Sequence, residues 1–271
     1  MTKSSTIEDV STTKPFLEVN GRSIFFDEDW DIGIGGGLWS TGLAMSKYFA
    51  SHVSSIREDL QSLKHSCRTR NKIDGDGITA IELGSGNGLL SACFASVAEG
   101  LLSELAVTDM KDHLSLMEQT FILNQESLQW KKENVATARN ANETTESDKI
   151  QATGYLLNSP MKLIIAEHNW GEFSSMAFGD NKKFDFIFGS DVAYKNTKPL
   201  LRTLVELSHE NTLILIGSTI IDSKPQFFKD LVKAGFRYER LTDHLLEKNF
   251  QGSTFGIFAI QQQPKKETIH Y

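Results

Sequence analysis

Ile78-Thr79-Ala80-Ile81-Glu82-Leu83-Gly84-Ser85-Gly86-Asn87-Gly88-Leu89-Leu90-Ser91-Ala92 decides the fold. Ile78 to Leu83 is an apolar run of strand length that passes directly into a glycine-rich turn. The small and apolar residues from Leu89 to Ala98 then suit a tightly packed helix. Glycines at such a turn supply backbone angles closed to other residues and leave no side chain in the way of a ligand. A strand, a glycine turn and a helix in this order begin an α/β, Rossmann-like doubly wound sheet.

Working toward the C-terminus, Leu105 to Thr108 reads as the second strand, followed by a helix from Lys111 to about Asn124. The stretch 131–148 is rich in Asn, Thr, Glu and Lys, and reads as a polar surface insertion. Strands resume at Met161 to Ala166 and Phe184 to Gly189. A helix over Lys198 to Ser208, with Pro199 in its first turn, precedes the strand Thr212 to Gly217. The helix Pro225 to Ala234 closes at Gly235, and Phe236 to Leu241 and Thr254 to Gln261 complete a seven-strand sheet. Toward the N-terminus, Asn20-Gly21 between apolar runs predicts a hairpin over Phe16 to Phe26. Beyond the glycines at 33, 35, 36 and 37, apolar residues from Leu43 to Leu63 recur at helical spacing and predict one long helix. The expected organisation is a flexible tail (1–14), the hairpin and helix packed on the core (15–70), the core (71–263) and a second tail (264–271). By position, the hairpin and first helix are expected to form the substrate-facing rim.

With 39% hydrophobic and 23% charged residues in 271, the chain can bury a sizeable core. Its net charge of -7 speaks against a general nucleic-acid or membrane-surface binder, which displays surplus Lys and Arg. Cys67 and Cys93 stand far apart, supporting neither a disulfide framework nor a zinc ribbon. The polar start, Thr2 to Thr13, and the lack of an apolar run of membrane length predict a cytoplasmic protein, with nuclear access open to it. In that setting the match at Asn142-Glu143-Thr144 to a glycosylation acceptor has no meaning. A monomer is expected.

Asp109 ends the second strand, a little over 20 residues beyond the turn, where doubly wound folds place an acid on the ribose hydroxyls of an adenosine cofactor. A dehydrogenase fingerprint would carry a third glycine where Leu89 stands. Glu82, immediately before the glycines, would repel a pyrophosphate and suits the ammonium group or water shell of a methionine moiety. The turn therefore favours S-adenosylmethionine over NAD. Phe184 to Gly189 delivers Ser190, Asp191 and Tyr194 to the same carboxyl edge, where ligands bind in these folds. Asp191 could equally cap the next helix, and Tyr194 could pack on the core. Trp39 and Trp170 are ordinary core candidates which, at the loop edge of a cleft, can wall an adenine. His168 has no partner at metal-ligand spacing and reads as a loop residue. Gly-x-Ser-x-Gly, Walker and His-Glu-x-x-His patterns do not occur.

The ordered set resembles the family 16 seven-strand protein lysine methyltransferases, the methyltransferase-like group. It comprises Gly37-Leu38-Trp39, Glu82 to Gly88, Thr108-Asp109, Asn124, Asn169-Trp170-Gly171 and Phe184-Asp185 through Ser190-Asp191-Val192-Ala193-Tyr194. The resemblance implies that Gly84, Ser85 and Gly86 pass the methionine end of S-adenosyl-L-methionine and Asp109 holds its ribose, with Trp39, Trp170 and Ser190 bordering it. It also implies that Asp191 and Tyr194 are the catalytic residues at the mouth of a lysine channel. The glycines before Trp39 are most similar to fungal members acting on translation elongation factor 1A, which implies a protein partner carrying the target lysine. Asn87, where many members carry Thr, and the 131–148 insertion depart from the pattern.

Two other readings stay open on the residues alone. A small-molecule methyltransferase would share the same cofactor half, and a non-catalytic module could bind cofactor or partner without turnover. A nucleic-acid adenine methyltransferase would need an Asn/Asp-Pro-Pro-aromatic loop, and Asp191-Val192-Ala193-Tyr194 lacks both prolines.

Overall fold

The computed structural model describes residues 14–70, 77–132, 152–157, 161–172, 178, 181–194, 196–219, 225–252 and 255–263. An N-terminal hairpin pairs β1 (Leu17–Val19) with β2 (Arg22–Ile24). Asn20 and Gly21 have φ of 50° and 73°, the paired left-handed geometry of a two-residue hairpin turn. Two helices follow, α1 (Ser40–Ser51) and α2 (Val53–Arg70). The single long helix expected from periodicity is thus broken at His52, with φ -121° and ψ 30°. The His52 ring stacks on Tyr48 and its Nδ1 lies 3.2 Å from the Tyr48 carbonyl, which also accepts from the His52 N–H.

The chain then alternates β3 (Ile78–Leu83), α3 (Leu89–Val97), β4 (Leu102–Asp109), α4 (Leu114–Leu123), β5 (Trp130–Lys132), β6 (Ala152–Leu157) and β7 (Lys162–Glu167). It continues through β8 (Phe184–Ser190), α5 (Thr197–Leu207), β9 (Ser208–Thr219), α6 (Pro225–Lys233), β10 (Phe236–Arg240) and β11 (Phe255–Gln262). One sheet carries the order β10-β11-β9-β8-β3-β4-β7-β6-β5. The five central strands β9, β8, β3, β4 and β7 are parallel, and β11 runs antiparallel between β9 and β10. These are the seven expected strands. The sequence reading missed β5 and β6, an antiparallel pair added beyond β7. They flank the polar insertion, whose residues 133–148 lie outside the described residues, as do residues 1–13 and 264–271.

After β7 the chain returns to the middle of the sheet and lays β8 beside β3 on the side away from β4. That reversal of winding direction opens a crevice at the carboxyl ends of β3, β4 and β8. Side-chain alternation feeds an apolar layer on each face of the sheet. Phe186 and Phe188 pack with Phe94 of α3 and Phe49 of α1, while Ile81, Leu83 and Ile187 pack with Leu200 and Leu204 of α5 and Phe227 and Leu231 of α6. All nine residues of α3 are buried. Its small side chains let sheet, hairpin and α1 close around it.

The hairpin is latched to the far end of α3: Asn20 Nδ2 donates to the Ser96 carbonyl, and Ser96 Oγ donates to the Val19 carbonyl. The glycine turn lies at the opposite end of that helix. The expectation that the hairpin forms the substrate-facing rim is therefore corrected. Residues 34–42, between the hairpin and the first turn of α1, reach the crevice instead.

Candidate functional site

The turn after β3 is built from three left-handed glycines, Gly84, Gly86 and Gly88, with φ of 66°, 59° and 83°. Space is as restrictive as conformation at two of them. A Cβ on Gly84 would come within 2.9 Å of Val192 and 3.1 Å of Trp170, and one on Gly86 within 2.5 Å of the Gly35 carbonyl oxygen. The turn is tied to the end of β4 by the Ser85 N–H, which donates to the Thr108 carbonyl, and by the Gly86 N–H, which donates to Asp109 Oδ2 at 2.7 Å. Asp109 Oδ1 accepts from the Met110 N–H. Burial raises the Asp109 pKa against the lowering influence of these N–H groups and of His113.

A cavity of about 720 Å³ lies over the turn, a size suited to a nucleoside cofactor. Nine of the ten site residues expected from sequence line it: Trp39, Gly84, Ser85, Gly86, Asp109, Trp170, Ser190, Asp191 and Tyr194. They come from five separate stretches of chain. Asp109 ends β4 and Asp191 directly follows β8, the two strands that flank β3, so the glycine turn after β3 lies between two carboxylates. Trp39 is 44% exposed, its indole N–H donates to the Ile34 carbonyl, and its ring meets Trp30 edge-on.

Glu82 is the exception. It is only 1% exposed and is not among the residues lining the cavity. Its Oε2 accepts from the hydroxyls of Ser85 and Ser91 beneath the turn. Burial, reinforced by Asp109, pushes its pKa up to about 8. The structure thus corrects the reading of Glu82 as a direct ligand: this side chain braces the turn from below.

Asp191 has φ of 55°, a left-handed conformation uncommon for a residue other than glycine. Its N–H donates to the Gly217 carbonyl, and its Oδ1 accepts from Thr41 Oγ1 at 2.7 Å. A strained residue over-determined by its surroundings is a frequent mark of a functional position. Ser190 lies against α1, where Gly42 leaves room for its hydroxyl, and Tyr194 stands 37% exposed at the edge.

Among the lining or supporting residues that escaped the sequence reading are Gly35, Thr41, His113 and His168. Gly35 and Thr41 precede the turn by more than 40 residues, and nothing local to either links it to Gly86 or Asp191. His168, read as a loop residue, is buried on the cavity wall, and burial pushes its pKa down to about 4.

A family model described as lysine methyltransferase, methyltransferase family 16, matches residues 18–157, more than half of the chain. The chain belongs to the lysine methyltransferase family. The match spans the hairpin, the glycine turn and Asp109; Asp191 and Tyr194 lie beyond it. No curated protein sequence matches significantly. Among solved structures, the precorrin-6y C5,15-methyltransferase from Geobacter metallireducens is 9% identical at a TM-score of 0.42, over 78% of this chain and 88% of that one. The mitomycin 7-O-methyltransferase MmcR is 14% identical at 0.42, over 75% of this chain and 53% of that one, so this chain spans about half its length. The Methanococcus jannaschii fibrillarin pre-rRNA processing protein is 12% identical at 0.44, over 70% and 68%. Likenesses at this level carry no argument about substrate.

Membership in a methyltransferase family implies S-adenosylmethionine as the methyl donor. The residues of this chain fit such a group. The turn Gly84 to Gly86 lines the cavity, Asp109 offers acceptor oxygens at its wall, and Trp39 and Trp170 flank the space.

Proposed function

We propose that the protein transfers a methyl group from S-adenosylmethionine to the side-chain amine of a protein lysine. The observation that carries this reading is Asp191, a carboxylate held by Thr41 on the wall of the cavity, two strands from Asp109 and close in sequence to the exposed Tyr194. In this reading the turn Gly84 to Gly86 passes the methionine end of the cofactor and Asp109 holds the ribose. Trp39, Trp170 and Ser190 border it. Bound there, the cofactor supplies an electrophilic methyl carbon on a sulfonium.

A lysine of ordinary pKa, about 10.4, is protonated at neutral pH and has no lone pair for attack. Asp191 stabilises the ammonium form, so it captures and aims the side chain and does not itself favour deprotonation. Desolvation inside the cavity, where Trp39, Trp170 and Val192 form apolar walls, favours the neutral amine. The proton leaves toward solvent at the exposed edge beside Tyr194, whose hydroxyl can hold one hydrogen bond to the amine. Nitrogen gains the methyl carbon as the carbon–sulfur bond breaks, and positioning supplies much of the acceleration.

The test is transfer of a radiolabelled methyl group to proteins of a cell lysate, followed by peptide mapping. Labelled lysine in a protein band supports the reading. Label confined to RNA or small molecules overturns it. The resemblance of the segment before Trp39 puts translation elongation factor 1A first among purified substrates to assay.

A further inference from the structure

His113 ends a single 3-10 turn, Lys111–His113, that follows β4. It is 3% exposed and lines the cavity beside Asp109. Among the described residues neither ring nitrogen has a hydrogen-bond partner. Nδ1 stands 3.4 Å from Asp109 Oδ1, longer than a normal hydrogen bond. On its other side the ring faces Gly35, where a Cβ would come within 2.7 Å of Nε2. Gly35 is thus a position where only the absence of a side chain leaves the imidazole in place.

A buried imidazole with both nitrogens unpaired is unfavourable by itself, and in a ligand cavity it marks a place where the ligand completes the hydrogen bonding. Its neighbour identifies what that ligand offers. Asp109 is an acceptor-only group when ionised, with one lone-pair direction on each oxygen already taken by the Gly86 and Met110 N–H groups. A neutral imidazole supplies one donor and one acceptor. An acceptor and an imidazole side by side suit two adjacent hydroxyls, each able to donate and accept.

We propose that His113 is a cofactor-binding residue that takes one hydroxyl of the ribose while Asp109 takes the other. The inference rests on the reading of the cavity as the S-adenosylmethionine site, and is independent of which acceptor is methylated. Gly35, in the segment laid over the glycine turn, keeps the imidazole aligned.

The experiment is calorimetric titration of S-adenosylhomocysteine and its 2′-deoxy and 3′-deoxy analogues, without a methyl acceptor, into the unmodified protein, His113→Ala and His113→Phe. The Phe variant keeps an aromatic ring in the packing, and thermal melts of both variants report folding. The unmodified protein is expected to bind S-adenosylhomocysteine about ten-fold more tightly than either deoxy analogue. Both variants should lose about ten-fold in affinity for S-adenosylhomocysteine and stop distinguishing it from one of the two analogues, while still rejecting the other through Asp109. Gly35→Ala should reproduce that pattern by displacing the ring. Discrimination retained in His113→Phe, or equal losses for all three ligands, would show a packing role and overturn this inference alone. Failure of the unmodified protein to bind S-adenosylhomocysteine would overturn the cofactor reading beneath it.

Discussion

Thr41 Oγ1 donates to Asp191 Oδ1 across 2.7 Å, joining residues 150 positions apart and seating a carboxylate that already occupies an unusual left-handed backbone conformation. Thr41 is fully buried in the first turn of α1, so Thr41→Val removes the bond with little change of shape. A hydrogen bond to a charged group contributes about 1.5–3 kcal/mol. Methyl-transfer kinetics on Thr41→Val should show kcat/KM for the lysine substrate lowered by about ten-fold or more, with cofactor affinity within about two-fold of the unmodified protein. Unchanged kinetics would remove this bond from the placement of Asp191.

Asp191→Asn tests the charge itself. Asparagine tolerates the left-handed conformation as well as aspartate does, so folding should be unaffected. Without the negative charge, the capture of a lysine ammonium weakens, and kcat/KM should fall by about a hundred-fold or more. Full activity in both Asp191→Asn and Tyr194→Phe would exclude these two side chains from the reaction.

Glycine substitutions separate backbone strain from site closure. Gly86→Ala combines a left-handed φ with a Cβ 2.5 Å from the Gly35 carbonyl oxygen, whereas Gly100, at φ 74°, has nothing within 4 Å of its added Cβ. Urea denaturation should report a loss of about 1–2 kcal/mol for Gly100→Ala with cofactor binding intact. For Gly86→Ala it should report about 3 kcal/mol or more, together with loss of binding. Equal behaviour of the two variants would mean that the approach of Gly35 is not restrictive.

Two buried groups, Glu82 and His168, give stability opposite pH slopes. Burial raises Glu82 from its ordinary 4.5 to about 8, so the folded state holds this proton more tightly than the unfolded chain. Its contribution is therefore complete below pH 4.5 and is lost as pH rises toward 8. In Glu82→Gln, a neutral side chain of the same shape, the decline of Tm between pH 6.5 and 8 should flatten. An unchanged slope would mean that Glu82 is ionised in the folded protein.

Burial lowers His168 from 6.5 to about 4, so here the unfolded chain binds the proton more tightly. Stability from this group is complete above pH 6.5 and is lost as pH falls toward 4. The difference in Tm between the unmodified protein and His168→Gln, followed from pH 7 to pH 4, should shrink with acidification. A constant difference would argue against a buried neutral imidazole.

Local demands were the legible part. Glycines that must take positive φ, the apolar run Ile78 to Leu83, the Asn-Gly hairpin and an acid at the end of β4 each write a backbone or solvation requirement into neighbouring residues, and their order along the chain implied the seven-strand winding. β5 and β6 were not legible because the short pair on either side of a polar stretch is held by pairing to β7, a partner outside either segment. The break at His52 was missed because apolar periodicity continues through it, and the interruption is confined to the backbone angles of one residue.

Within the site, the residue types at the carboxyl edge were readable from sequence, but their directions were not. Glu82 stands next to the glycines in sequence, yet strand alternation turns it with Ala80 toward α3, where Ser91 meets it, and so away from the cavity. The bond from Thr41 to Asp191, the contact of Gly35 with both Gly86 and His113, and the burial of His168 exist only once distant segments are packed together. From the sequence alone came the elements, their order and the glycine turn, because these follow from conformational preferences and solvation acting over a few residues. Which side chains face the ligand, and which brace those that do, was decided by tertiary structure, because close packing and partner distances are properties of segments that the chain order does not place side by side.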